Sequence, residues 1–127
     1  MKYYIDKTVD LPFDEVIEKV TLALKEEGFG VLTHIDIRET LKKKLNVDFR
    51  PYVILGACNP HFAHQALQSE DKIGTMLPCN VIVQQQQDQV EVSAVDPIAS
   101  MQAVENEALG ELATQVRAKL ERVVANI

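Results

Sequence analysis

Residues 77–83 read LPCNVIV and residues 90–97 read VEVSAVDP, with Gln84 to Gln87 and Asp88 between them. Val81 and Val83 on one side of the tract and Val90, Val92 and Ala94 on the other have the period-two spacing of strands. The polar residues between them mark a hairpin tip, so the two strands must run antiparallel. Where the strand that opens at Cys79 starts, the strand that closes at Asp96 therefore ends. Four glutamines are too few to count as low complexity.

Working outward, residues 52–68 read YVILGACNPHFAHQALQ. Tyr52 to Cys58 is almost wholly apolar, as an interior strand requires, and Gly56 within it marks a bulge or a close backbone approach. Asn59 before Pro60 predicts a helix start, with Asn59 as cap and proline at a position that loses no hydrogen bond. In that helix Phe62, Ala63, Ala66 and Leu67 share one side, and His61, His64, Gln65 and Gln68 the other. Ser69 to Pro78 reads as a loop.

The flanks complete the pattern. Residues 2–9 alternate as a strand. Asp10 and Pro12 then announce a helix carrying Phe13, Val16, Ile17, Val20 and Leu24 on one face, with Gly28 as its stop. Gly30 to Ile35 is a second strand, bearing the lone His34. Asp36 followed three residues later by Glu39 predicts a short helix with Ile37, Leu41 and Leu45 on its apolar side, ended by Asn46. From about Val104, the residues Val104, Ala108, Leu112, Val116, Leu120 and Val123 trace a long amphipathic helix.

The expected fold is α+β. It has an antiparallel sheet of about five strands, in the order β-α-β-β-β-β-α with short inserted helices, backed on one side by the two long helices. No internal repeat or linker divides the 127 residues, which are expected to form one domain, 1–127.

Charge narrows the partners. Thirteen Lys and Arg against nineteen Asp and Glu leave a net charge of −6, which argues against nucleic acid or an anionic membrane surface. The run Lys42-Lys43-Lys44 reads as a solvated helix face. Without an apolar stretch long enough for a signal or a span, the expected location is the cytoplasm, where two cysteines are free thiols, metal ligands or transient redox partners.

The candidate site is where three strand ends should converge. If the Tyr52 strand pairs antiparallel with the Cys79 strand, Cys58 lies near Cys79. Asn59, His61, His64, Asn80, Asp96 and Met101 then stand around them. Cys58, Cys79 and His61 are the candidate metal ligands, and a soft ion such as zinc or copper(I) is the metal that sulfur and imidazole would suit; the first reading is a small dimeric binding or sensing module whose thiol-bearing sheet end takes such an ion or a small ligand. A thiol ahead of a helix N-terminus is also favoured as thiolate, so a redox enzyme or switch is a second reading. A third is a structural or interaction domain in which both cysteines are core filler. No catalytic signature, phosphate loop or dinucleotide fingerprint is present.

Through GACNPHFAHQAL, LPCNVIV, SAVDP and the early EEGFGVLTHID, the chain resembles the uncharacterised prokaryotic family catalogued as domain of unknown function three hundred and two. It is similar to the branch with cysteine in both the CNP and LPC motifs. The resemblance spans nearly the whole chain. It implies an α+β fold with a sheet backed by helices and a tendency to homodimers, and it brings no established activity.

Overall fold

The computed structural model describes residues 2–127. Its five strands are β1 (Tyr4–Val9), β2 (Gly30–Asp36), β3 (Tyr52–Cys58), β4 (Cys79–Gln86) and β5 (Gln89–Val95). They form one antiparallel sheet in the order β1-β5-β4-β3-β2. The helices are α1 (Phe13–Glu26), α2 (Ile37–Leu45), α3 (Pro60–Ser69), α4 (Pro97–Ser100) and α5 (Glu107–Ala125), with a 3-10 turn at Asp71–Met76. The α+β architecture and five-stranded antiparallel sheet expected from the alternation are both present.

One sheet face carries the core. Val53, Leu55 and Ala57 of β3, Val81 and Val83 of β4, and Val90, Val92 and Ala94 of β5 are all buried. They meet Val16, Val20 and Leu24 of α1 and Val116, Leu120 and Val123 of α5 in a single cluster. At about 25 cal/mol per Å² of apolar surface, this burial is the main force holding the helices to the sheet. A smaller cluster of Ala66, Ile73 and Leu109 joins α3, the 3-10 turn and α5. The Ser69 to Pro78 stretch is therefore more ordered than a loop, because Ile73 anchors it.

Two helix starts differ from expectation, and the other termini agree with it. Helix α1 begins at Phe13 with no side-chain cap, so Asp10 does not cap it; Asp14 and Glu15 in the first turn face the positive end of the helix dipole instead. Gly28 follows the helix with φ +86°, a conformation that costs glycine little. Asp36 does cap α2, accepting from the Glu39 amide at 2.9 Å, and Asn46 ends that helix in the left-handed region. The long C-terminal helix starts at Glu107 rather than near Val104, because the Asn106 side chain accepts from the Ala108 amide and sets a new start.

Gly56 marks a close approach. In β2 the pairing with β3 slips between Val31 and Thr33, a bulge that leaves Leu32 unpaired and 68% exposed. Past the bulge Thr33 stands opposite Gly56, and a Cβ on Gly56 would overlap Thr33 Oγ1 and come within 2.9 Å of Pro78 Cγ. Gly56→Ala should therefore destabilise the protein by about 1–3 kcal/mol in urea unfolding, as overpacking does. Adding Thr33→Ala, which removes one of the two obstructing atoms, should recover part of that loss; equal midpoints for the single and double variants would disprove the steric account.

Candidate functional site

The antiparallel register brings the three distinctive strand ends together. Cys79 lies opposite Ala57 of β3. On the other side Val81 pairs with Ala94, so the start of β4 lies beside the end of β5, where the Asp96 amide donates to the Tyr3 carbonyl at 2.8 Å. Cys58 is one residue beyond the Cys79 partner and so sits diagonally from it.

Between this sheet end and helices α3, α4 and α5 lies an apolar cavity of about 40 Å³. Its wall includes Cys58, Cys79 and Met101, with Phe62, Leu77 and Leu112 among the apolar residues around them. Both cysteines are free thiols. Burial pushes the Cys79 thiol up to about 11, and the neighbouring Cys58 adds to the shift. At neutral pH Cys79 is thus a neutral, apolar-facing sulfur rather than a thiolate.

The other candidates separate into those the fold gathers here and those it does not. Asn59 is on the cavity wall but does not cap α3; its side-chain amide donates to the Glu27 carbonyl at 3.3 Å, tying the end of α1 to the start of α3. Asp96 is buried and fully engaged. One oxygen accepts from the Ile98 amide at 2.9 Å, and the other from Arg117 Nε of α5 at 3.0 Å. His61 and His64 are exposed on α3 and absent from the cavity wall. Asn80 lies across the sheet, because strand side chains alternate faces and Cys79 faces the helices. Among the described residues no three His, Cys, Asp or Glu side chains gather as metal ligands.

What surrounds the cavity is a set of clamps. Glu27 receives Arg122 at 3.1 and 2.9 Å, and the Arg122 guanidinium holds its carboxyl below the usual carboxylate range. Lys119 of α5 lies 6.0 Å from the Phe62 ring centroid and 3.9 Å from Glu27. Arg117, Lys119 and Arg122 were not singled out in the sequence, although their spacing along one turn or more of the last helix was the available signal.

The model of the family described as "Domain of unknown function DUF302" matches residues 5–127. The chain belongs to the DUF302 family. Among solved structures, the crystal structure of an uncharacterised conserved DUF302 protein from Bacillus stearothermophilus is similar. It has a TM-score of 0.93 and 30% sequence identity, covering 99% of this chain and 98% of that one. Among curated proteins no match was found. The DUF302 fold is thus shared over the whole length, and the role of this chain within it has to be argued from its own site.

Burial of the Cys79 thiol couples its proton to folding. The folded protein keeps that proton up to about 11 whereas an ordinary thiol gives it up near 9.0, so the folded state binds more protons in this window. The stabilisation is intact below about pH 9 and is lost as pH rises towards 11. Urea unfolding of the natural chain should accordingly weaken more steeply over that window than unfolding of Cys79→Ala, and alkylation of Cys79 near neutral pH should be slower than that of free cysteine. Parallel pH profiles for the two chains would refute the assignment.

Proposed function

We propose that this DUF302 chain is a single-domain binding or sensing module of the cytoplasm, whose site is the cavity walled by Cys58, Cys79 and Met101. The observation that carries the reading is the composition of that wall: three sulfur-bearing side chains among apolar neighbours, with the side-chain amide of Asn59 already committed to the Glu27 carbonyl. A cavity of about 40 Å³ is far below the roughly 300–1,000 Å³ of drug-sized sites. It accommodates a short apolar group at the buried end of a ligand whose remainder lies outside.

A soft ion is the second reading, and the sulfur set favours it. Two thiols and a thioether suit copper(I), which accepts two or three sulfur ligands, better than zinc, whose structural sites take four. A thiol redox role has less support, because a thiol held neutral is a poor nucleophile. Native mass spectrometry of untagged protein purified without chelator separates these readings. A retained small molecule that is lost when Ala113→Leu fills the cavity supports the first. One equivalent of copper that is lost in Cys58→Ala/Cys79→Ala supports the second. If neither is retained and xenon under pressure fails to shift the Met101 methyl resonance, the cavity is not the site.

The module acts as a homodimer in this proposal. From Gly30 to Arg50, through β2, α2 and the following segment, no residue is buried, and Leu32, Ile35, Leu45 and Val47 are exposed apolar side chains on it. A helix with no buried residue contributes little to holding its own chain together, and a second copy would cover it. Sedimentation at micromolar concentration should give twice the chain mass, falling to one chain for Leu32→Asp/Leu45→Asp; a monomeric natural chain would remove the dimer from the proposal.

A further inference from the structure

The sheet face turned away from α1 and α5 carries a second concavity, of about 420 Å³, in the size range of small-molecule sites. It is lined by Tyr3, Tyr4, Tyr52, Ile82, Val95 and Glu91, with Gln84 and Ser93 forming part of its floor. Gln84 and Ser93 are only 8% and 7% exposed, unusual for polar side chains on a face without covering helices.

Their hydrogen bonds converge on one atom. Arg50, stacked 4.5 Å from the Phe49 ring and 5.6 Å from the Tyr52 ring, donates from Nε and Nη2 to Gln84 Oε1 at 3.0 and 2.9 Å. Gln84 Nε2 then donates to Glu91 Oε1 at 3.0 Å, and Ser93 Oγ donates to the same oxygen at 3.3 Å. Glu91 is thereby fixed in orientation through Oε1, while Oε2 receives no hydrogen bond from the described residues. Arg50 turns Nε and Nη2 towards Gln84 Oε1 and forms no ion pair with Glu91. Lys2, whose ammonium stands 5.0 Å from the Tyr4 ring centroid at the far end of the trough, is paired with Asp6 at 2.9 Å. No described cation pairs with Glu91.

A carboxylate immobilised by neutral donors, without a counter-ion, at one end of an aromatic and aliphatic trough calls for a cation with an apolar tail. From Glu91 the trough runs along β5 to Val95, about 13 Å at the rise of an extended strand, and ends at Tyr3 and Tyr4. We propose that this face is a binding site for a protonated amine carrying an extended apolar group, with the ammonium at Glu91 Oε2 and the tail over Ile82 and Val95 towards the tyrosines. The charge supplies orientation, and the apolar floor and ring faces supply contact area. The site is independent of the cysteine-walled cavity, which lies at the helix-covered side of the sheet.

Titration of the intact chain with hexylamine, followed by backbone amide and tyrosine ring resonances, is the test. Saturable shifts at Ile82, Glu91, Ser93 and Tyr52 are expected, with hexanoate and hexanol at least ten-fold weaker. Glu91→Gln should bring hexylamine down to the level of hexanol while leaving the α1 and α5 resonances in place. Equal binding of the three probes, an unchanged preference in Glu91→Gln, shifts confined to other parts of the protein, or amides on this face already shielded by a second copy would each overturn the proposal.

Discussion

The central position of β4 is the constraint on which the molecule depends. It is hydrogen-bonded along both edges, to β3 and to β5, and Val81 and Val83 are fully buried beneath the helices. A shift of one residue in its register would turn those valines away from the core and Asn80 and Ile82 into it, which the buried face does not tolerate. The position of Cys79 relative to Ala57 and Asp96 is fixed by the same ladder. Both faces of the sheet therefore take part of their chemistry from one strand: Cys79 turns to the sulfur-lined cavity, and Gln84 turns to the opposite face, where it meets Glu91 of β5.

Much of this was legible before any coordinates. The alternation of Val81, Val83, Val90 and Val92 around a polar tip could produce only an antiparallel hairpin, and Gly56 in an apolar run pointed to the contact that Thr33 and Pro78 make. The meeting of the Cys79 and Asp96 strand ends followed from the hairpin's direction, whereas Cys58 joins them only because the Tyr52 strand pairs antiparallel with the Cys79 strand. What the sequence did not disclose was side-chain commitment. Asn59 before Pro60 has every local feature of a cap, yet its amide is engaged by a carbonyl 32 residues earlier, a tertiary partner that overrides the local option. His61 and His64 lie where helical periodicity placed them, opposite Phe62, and so on the outer surface.

The second face was the least readable. Gln84 looked like the first residue of a turn, because glutamine repeats signal polarity and nothing more. Its role depends on Arg50, 34 residues away, and on the flanking Phe49 and Tyr52 rings that stack on that guanidinium. Local propensity gives no access to such a relay, since each member is an ordinary surface residue until the sheet aligns them. The same is true of Ile73, whose isolated position in a polar stretch gave no period to follow.

The irregularity in β2 bears on how the outer edge of the sheet is protected. An outer strand with an unbroken row of free amides and carbonyls invites further chains to add in register, the route to open-ended fibres. Here the extra residue at Leu32 interrupts that row, so backbone-to-backbone growth is discouraged on the very flank where apolar side chains are most exposed. Contacts made there must be read through side chains, which are selective, and can close after one partner instead of propagating.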